Sequence, residues 1–382
     1  MRIKYVAGKA ITPVRIIEDA EVCAENGRIV SAGKRDRATD AQYVLRDFGE
    51  YLAPGYIDIH THGGGGFDFC DGTVEAFLGA GEIHRKNGTT TLLPTSLTCS
   101  DETLFGFFDT LRAVKSKKYD GIPDYYGAHL EGPYFSQQFA GAQDPRYLSA
   151  PRKEHYLPIL EKYGDLITRW SFAPELPGAM EFSRELCRRG ILSSAGHSAA
   201  TVYEMEEALE NGCTHLTHHY CAMSGMTKRG AYKYPGVIDS AYIHDEFTTE
   251  VIADGHHVPD GFLFTLYKYL GAARVCLISD SLRVAGLPDG EYYIGKEGSG
   301  TKTVKDNGVA FMPDRHAFAG SAVTADTLVR RMVFNVGVPL ADAVRMATMT
   351  PARICGMKRK GVLAAGYDAD VIGLDDRLNV IA

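Results

Sequence analysis

The 382-residue sequence lacks several features that mark membrane, secreted and disulfide-rich proteins. No run approaches the roughly 18–20 apolar residues of a membrane span, and the segment 1–14 lacks the apolar core of a signal peptide. The eight cysteines are scattered with no C-x-x-C pair, which is typical of reduced, mostly structural thiols. These absences predict a cytoplasmic protein with no membrane segment.

Charge of one sign is not concentrated in any part of the chain. The net charge is −7, with acidic and basic residues mixed and no run of Lys or Arg, which argues against nucleic acid as a partner. The length fits one large domain plus a smaller one. A hydrophobic fraction of 45% allows a sizeable core.

Both ends of the chain alternate apolar and polar residues, as short antiparallel strands do. The segments with this pattern are Arg2–Val6, Arg15–Ile17, Ala20–Ala24, Arg28–Ser31, Val362–Leu363 and Asp370–Leu374. We predict that residues 1–53 and 355–382 together form one small β-sandwich domain. The remaining residues, 54–354, would then form the catalytic domain.

Between the two ends, strand-like apolar runs alternate with helix-like segments, which predicts a parallel α/β architecture. The eight candidate strands span 56–63, 89–96, 125–132, 167–175, 191–198, 214–220, 248–257 and 275–281, and amphipathic segments at 73–87, 179–189 and 199–211 supply helices between them. Eight strands favour a (β/α)8 barrel over the competing layout, a doubly wound open sheet. Nearly every run ends on His, Glu or Asp, as expected where barrel strands build an active site.

The first candidate strand carries a pair of histidines near its end. His60 and His62 lie two residues apart, so their side chains share one face of a strand. Two adjacent imidazoles suit a divalent metal ion, and the four glycines 63–66 that follow allow a tight turn. Taken alone, the motif is also compatible with two polar residues beside a loop.

Further strand-end residues repeat this pattern, and each has an ordinary interpretation of its own. Glu131 closes the third run and could form a simple salt bridge, while His197 and His218 close the fifth and sixth and could be hydrogen-bonded structural residues. His219 points away from the face of His218, and His215 is expected to pack or cap. Asp280 ends the eighth run, where an aspartate beside a metal can transfer protons.

Several motifs together resemble a known enzyme superfamily. The segment 54–63 (PGYIDIHTHG) resembles the first-strand signature of the amidohydrolases, and 350–353 (TPAR) and 366–370 (GYDAD) resemble the segments that lead those chains back to their terminal sheet. Within the superfamily, the motifs HLEGP (129–133), GHS (196–198), HHYCAM (218–223), DGHH (254–257) and SD (279–280) resemble the N-acetylglucosamine-6-phosphate deacetylases.

The resemblance implies a metal centre that holds one or two divalent ions per chain. Glu131, His197 and His218 would bind the metal that all members of the family need, and His60 and His62 match members that carry a second ion. No carbamylated lysine is expected, because Glu131 would take the bridging place. Imidazole and carboxylate ligands suit Zn, Fe, Ni and Co, and we expect Zn.

The resemblance also implies roles in catalysis and substrate binding. Asp280 would be the general base and acid, and His257 would contact the substrate or polarise its acetamide carbonyl. His256 is expected to be structural. The residues that correspond to sugar and phosphate contacts are Ala142, Gln143, Cys221, Ala222, Arg229, Phe318, Ala319 and Gly320.

Two departures from the family pattern fall around the expected phosphate pocket. Cys221 stands where the family usually has Asn, so a side-chain contact there would change substrate choice, whereas a backbone contact would not. The segment Lys228–Pro235 is longer than expected, which leaves the alignment of Arg229 open. A solvated loop charge is the alternative interpretation of Arg229.

These observations predict a homodimeric enzyme that hydrolyses the acetamide of N-acetylglucosamine 6-phosphate to glucosamine 6-phosphate and acetate. The dimer is implied by the resemblance alone, as is the small-molecule amino sugar phosphate substrate. Rival interpretations are deacetylation of N-acetylgalactosamine 6-phosphate or another acylated amino sugar, and a cyclic-amide hydrolase or deaminase on the same barrel. A metal-free binding barrel is disfavoured by the complete set of ligands.

Overall fold

Eight parallel strands, one from each predicted run, surround the centre of the fold. The computed structural model describes residues 1–12, 14–298 and 300–381. In chain order, barrel strands one to eight are Tyr56–Thr61, Thr89–Ser96, Ala128–Glu131, Ile167–Phe172, Leu192–Ala195, Cys213–Leu216, Thr248–Val251 and Val275–Leu277. Each strand pairs with its neighbours in this same order. The runs with little polar character form strands that are buried on both faces, as parallel strands usually are.

Backbone contacts between the last and first strands nearly close the barrel. The Asp280 N–H donates to the His60 carbonyl at 2.9 Å, and the His62 N–H donates to the Ser281 carbonyl at 2.8 Å. Thr61 and Ser281 form a parallel bridge. The predicted (β/α)8 barrel is therefore confirmed, and the open doubly wound sheet is excluded.

One helix follows each barrel strand. These helices are Val74–Lys86, Asp101–Lys115, Lys153–Tyr163, Ala179–Arg188, Val202–Glu210, Val237–Ile243, Asp260–Leu270 and Ala325–Arg331, with Leu340–Met346 and Met349–Ile354 after them. Side-chain caps define their ends: Thr73 accepts from the Ala76 N–H, and Ser100 accepts from the Thr103 N–H. The three predicted helices are confirmed to within three residues. No helix in the described part of the chain is long and apolar enough to cross a membrane.

The two ends of the chain meet in a six-stranded sheet. Its strands are Arg2–Ile11, Ile16–Glu25, Arg28–Lys34, Val44–Asp47, Tyr51–Pro54 and Val371–Leu374. The C-terminal strand pairs antiparallel with Tyr51–Pro54, as the shared terminal domain requires. The predicted segments Arg15–Ile17 and Ala20–Ala24 belong to a single strand, and Val362–Leu363 is buried without forming one. The division at residues 53/54 and 354/355 stays a prediction.

A second small sheet lies between the eighth barrel strand and its helix, and the sequence patterns did not predict it. Its four antiparallel strands are Gly290–Ile294, Thr301–Asp306, Val309–Phe311 and Phe318–Ser321. The last of them pairs with the loop after barrel strand eight through the bridge between Ser281 and Ser321. This insertion brings residues 318–320 to the mouth of the barrel.

Candidate metal centre and active site

The strand-end histidines and carboxylates predicted from the sequence converge at the C-terminal mouth of the barrel. Glu131 is the last residue of barrel strand three, and His60 lies within strand one. His197 and His218 each follow the last residue of their strand by two positions, and Asp280 follows strand eight by three. All five side chains are buried.

Three of these residues have an unusual backbone conformation. His197, His218 and Asp280 have φ values of +47°, +29° and +47°, a region that residues other than glycine adopt at a cost of about 1–3 kcal/mol each. Such strain concentrates at functional sites, where the surrounding structure holds it in place. The left-handed turns direct these side chains into the mouth as the chain leaves each strand.

The first set of candidate ligands is a triangle formed by Glu131, His197 and His218. Nε2 of His197 and Nε2 of His218 each lie 3.1 Å from Oε1 of Glu131 and 3.1 Å from each other. The other ring nitrogen of each histidine faces a backbone carbonyl, that of Phe139 at 2.9 Å and that of Cys221 at 3.1 Å. A carbonyl oxygen only accepts, so each Nδ1 carries a proton.

These tautomers make the triangle a good fit for a metal ion. In neutral rings with Nδ1 protonated, both Nε2 atoms present lone pairs to each other and to an anionic oxygen, an arrangement that is repulsive without a cation. Ligands about 2.0–2.1 Å from a tetrahedral metal lie roughly 3.3 Å apart, close to the observed spacing. Glu131, His197 and His218 therefore fit a divalent cation such as Zn²⁺.

The second set comprises His60, His62 and Asp280, and it shares Glu131 with the first. Nε2 of His62 lies 3.1 Å from Oδ1 of Asp280 and 3.3 Å from Oε2 of Glu131. Nε2 of His60 lies 3.3 Å from Oε1 of Glu131, yet it has no hydrogen-bond partner in the described part of the chain. A buried, unpartnered nitrogen beside carboxylates fits a second cation.

The carboxylates dominate the electrostatics of this second set. Burial by itself would lower the pKa of His60, but Glu131, Glu250 and Asp280 outweigh it and raise that pKa to about 10. His62 behaves in the same way, with a pKa raised to about 9. Burial opposes ionisation of Asp280, yet the facing imidazoles keep its pKa below the usual value. In the metal-free protein, protons on His60 and His62 therefore take the place of metal charge.

A cavity of about 490 Å³ opens above the two ligand sets. Its lining includes residues that the sequence analysis predicted as substrate contacts, namely Ala142, Gln143, Cys221, Ala222, His257, Phe318, Ala319 and Gly320. Nδ1 of His257 donates to Asp254 at 2.8 Å, which leaves Nε2 as the ring nitrogen available to a ligand. His256 is exposed, with its N–H bonded to Asp254.

Two of these residues are already engaged within the protein. The Gln143 amide donates to Oε2 of Glu131 at 2.6 Å and its carbonyl accepts from the Thr98 N–H at 2.8 Å, so Gln143 orients a candidate ligand. The Cys221 N–H donates to the His218 carbonyl at 2.9 Å. Burial raises the pKa of the Cys221 thiol, so the side chain is neutral.

Arg229 lies apart from the cavity. It ends one strand of an exposed hairpin, Thr227–Arg229 with Tyr232–Tyr234, and its guanidinium lies 5.1 Å from the centre of the Tyr234 ring. Among the described residues that line the cavity there is no Lys or Arg. A role for Arg229 in phosphate binding stays a prediction.

The arrangement of a glutamate and four histidines at the mouth of a (β/α)8 barrel agrees with the sequence comparison. Residues 51–381 match the model of the amidohydrolase family. The chain belongs to the amidohydrolase family.

Several proteins that are named as deacetylases are similar to this chain over most of their length. An N-acetylglucosamine-6-phosphate deacetylase of Lysinibacillus sphaericus is 32% identical over 94% of this chain and 90% of its own. An N-acetylgalactosamine-6-phosphate deacetylase of Escherichia coli O157:H7 is 32% identical over 87% and 85%. The structure of a mutant N-acetyl-D-glucosamine-6-phosphate deacetylase from Mycobacterium smegmatis in complex with N-acetyl-D-glucosamine-6-phosphate superposes with a TM-score of 0.90 at 29% identity, covering 99% of this chain and 96% of that one.

Sequence reasoning missed two buried charged residues of this amidohydrolase. Oε1 of Glu250, on barrel strand seven, accepts a hydrogen bond from Nδ1 of His60 at 2.7 Å. Arg169 on strand four forms an ion pair with Glu250. The signal in the sequence was a single charged residue inside an otherwise uncharged strand, in TTEV and in ITRWSF. An unpaired charge at such a position is too costly to bury, so it predicts a partner inside the barrel.

The two neighbouring histidines on the sixth run lie outside both ligand sets. Nδ1 of His215 bonds Oγ1 of Thr248 at 2.8 Å, and His219 is buried beside the rings of Tyr220 and Tyr242. Burial lowers the pKa of His215 to about 4 and that of His219 to about 3. Both are therefore neutral, and His219 lies away from the mouth, as the strand phase predicted.

Proposed function

We propose that this amidohydrolase hydrolyses the acetamide of N-acetylglucosamine 6-phosphate, releasing glucosamine 6-phosphate and acetate. The observation that carries the proposal is the placement of Asp280, together with His60 and His62, beside the Glu131–His197–His218 set on the floor of one cavity. The activity for which the relative from Lysinibacillus sphaericus is named supports this substrate.

Glu131, His197 and His218 would hold the principal ion, and His60, His62 and Asp280 would hold a second. We propose Zn²⁺ as the metal, because imidazole and carboxylate ligands in a compact set suit it. A bound divalent cation supplies Lewis acidity, which polarises the acetamide carbonyl and acidifies a water molecule.

The remaining steps belong to the side chains of the cavity. Asp280 accepts a proton as the water oxygen bonds to the carbonyl carbon, and it returns that proton to the sugar nitrogen as the C–N bond breaks. His257, oriented by Asp254, is placed to contact the carbonyl oxygen or the neighbouring sugar hydroxyl. Gln143 keeps Glu131 in its ligand orientation.

For the phosphate we propose Arg229 together with the backbone N–H of Ala222, because the N–H and the carbonyl of Cys221 are already bonded to His218. The absence of a cation among the described cavity residues means that Arg229 has to reach it by a movement of its hairpin or within an assembly. We therefore also propose a homodimer. Exposed apolar side chains on the two helices that follow barrel strands six and seven support an interface, namely Tyr242, Ile243, Phe262 and Tyr269. Sedimentation velocity of the purified protein measures the assembly directly.

The cytoplasm is the proposed compartment. The structure holds eight unpaired cysteine thiols, a state that a reducing compartment maintains. Fractionation of cells with an antibody against the protein tests this.

N-acetylgalactosamine 6-phosphate is the second candidate substrate, because a deacetylase named for it is as similar to this chain as the first relative is. The two sugars differ only in the configuration of one hydroxyl. We propose that residues 318–320, which the inserted sheet carries to the cavity wall, contact this hydroxyl.

Acetate release distinguishes these possibilities. We expect Zn-loaded protein to release acetate from N-acetylglucosamine 6-phosphate with a higher kcat/KM than from N-acetylgalactosamine 6-phosphate or either unphosphorylated sugar. A reversed order between the two phosphates assigns the second candidate. No acetate from any sugar with Zn²⁺, Fe²⁺, Ni²⁺ or Co²⁺ contradicts the proposal.

A further inference from the structure

The four candidate imidazole ligands differ in what holds their second ring nitrogen. Three donate to backbone carbonyls: His62 to Thr95 at 3.3 Å, His197 to Phe139 at 2.9 Å and His218 to Cys221 at 3.1 Å. His60 alone faces a carboxylate, with Nδ1 lying 2.7 Å from Oε1 of Glu250. A carboxylate partner fixes the tautomer of a ligand histidine more firmly than a carbonyl and increases its basicity.

Glu250 is held from several sides inside the barrel. Arg169 binds both of its carboxylate oxygens, with Nη2 at 2.8 Å from Oε1 and Nη1 on Oε2. The His218 N–H donates to Oε1 at 3.1 Å. Arg169 is itself anchored by Thr217 Oγ1 at 2.9 Å. His60, Arg169 and Glu250 are fully buried and come from barrel strands one, four and seven.

Stability alone is a poor explanation for this ion pair. Two charges lose their hydration when they enter a barrel interior, and apolar residues of similar volume often serve stability as well or better. His215 and Cys276 also lie near Glu250, but the guanidinium already occupies both oxygens of the carboxylate, so this cluster is not a third metal site. The ion pair of Arg169 and Glu250 instead orients His60, whose Nδ1 contacts Glu250.

We propose that Glu250, held by Arg169, is a positioning residue that keeps the proton of His60 on Nδ1 and so presents Nε2 to a metal ion. Occupancy of the His60–His62–Asp280 set then depends on a residue that touches neither metal nor substrate. The Glu131–His197–His218 set is expected to depend on Glu250 less, because its imidazoles donate to carbonyls and Glu250 accepts from the backbone N–H of His218 rather than from its ring. This inference rests on the proposed function only in that the mouth of the barrel binds metal.

Glu250→Gln tests the proposal with little change of shape. One oxygen becomes an amide group, which repels Arg169 in one orientation and the Nδ1 proton of His60 in the other. We expect the dissociation constant of the second ion to rise about 10–100-fold, as for other residues that support metal ligands, with that of the first ion changed less than about threefold. Titration calorimetry and metal analysis of protein freed of metal by chelator measure both constants.

Glu21→Gln is the matched control. Glu21 is a nearly buried carboxylate paired with the buried Lys4 at 2.9 Å in the terminal sheet, so its loss removes a similar ion pair away from the mouth. Neither metal constant is expected to change. Equal loss of the second ion in both variants assigns the effect to general destabilisation and overturns the proposal.

A measurement on the wild-type protein tests the proposal even if Glu250→Gln does not fold. In zinc-loaded protein labelled with ¹⁵N-histidine, His60 is expected to carry its proton on Nδ1, with assignment by comparison with His60→Asn. A proton on Nε2, or unchanged affinities in a folded Glu250→Gln, overturns the inference while leaving deacetylation intact. A wild type that binds no metal at all contradicts the proposed function instead.

Discussion

The two ligand sets at the mouth share Glu131 but are built by different parts of the fold. His197 and His218 lie just beyond their strands, on backbone with positive φ, and their Nδ1 atoms rest on loop carbonyls. His60 lies within barrel strand one, and its Nδ1 contacts the ion pair of Glu250 and Arg169 inside the barrel. The histidines of the first set are therefore held by loop conformation, whereas His60 of the second set is held by packing of charged side chains within the barrel.

This difference predicts a difference in affinity and in pH dependence. Loop carbonyls orient an imidazole without adding charge. The carboxylates around His60 and His62 instead raise the pKa of both rings, so metal has to displace protons there. The same carboxylates attract a divalent ion once those protons have left.

The largest effect on kcat is expected from substitution of Asp280, which belongs to the second ligand set and is also the proposed proton acceptor. Asp280→Asn removes the proton acceptor, and we expect kcat to fall by roughly 10²–10⁴ while the ion at Glu131–His197–His218 remains. Steady-state kinetics with metal analysis measure both quantities. Asp245→Asn, at an exposed ion pair with Arg274, is the control. Loss of all metal from Asp280→Asn contradicts this assignment of roles.

The next comparison removes one histidine from each set. His197→Ala is expected to empty the principal position and to lower kcat/KM by about 10³, since Lewis acidity contributes several kcal/mol. His62→Ala is expected to leave one ion per chain and a smaller loss. Metal content per chain and kcat/KM, measured on the same samples, distinguish the two. The opposite order makes His60–His62–Asp280 the principal site.

The pH dependence sharpens the comparison further. His60 and His62 bind protons more tightly in the folded metal-free protein than when unfolded, so they stabilise it fully below about pH 6.5. That contribution disappears as the pH rises through about 9 and 10. Urea unfolding of metal-free protein at pH 6 and pH 10 measures the change.

A His60→Asn/His62→Asn double variant is the control for this prediction. It is expected to lose less stability than the wild type over the same pH range, because it lacks both titrating groups. Proton release on metal binding, measured by calorimetry in buffers of different ionisation enthalpy, gives an independent reading. An identical pH dependence of the wild type and the double variant contradicts the raised pKa values.

The smallest effect is expected at the rim, away from both sets. Arg229→Met is expected to raise KM for the phosphorylated sugar about tenfold with kcat unchanged. A change of this size corresponds to the free energy of one hydrogen bond to a charged group. Lys228→Met, at the adjacent exposed position, is the control. Unchanged KM in Arg229→Met makes Arg229 the solvated loop charge that the sequence left open.

Most of the barrel could be predicted because its strands are apolar runs that end on polar residues. The inserted sheet at 290–321 could not, since most of its residues are only partly buried and its strands mix polar with apolar residues. Arg169 and Glu250 are 81 residues apart, and only the curvature of the barrel brings strands four and seven face to face. Local pattern carries no information about such a pairing.

The sequence by itself determined which residue types stand at the strand ends and in which phase. Period two places His60 and His62 on one face, and parallel strands bring Glu131, His197 and His218 to one mouth. Only the tertiary structure decided which nitrogen of each ring faces that mouth. The tautomer depends on the partner of the other nitrogen, and these partners, Phe139, Cys221, Thr95 and Glu250, come from other loops and strands.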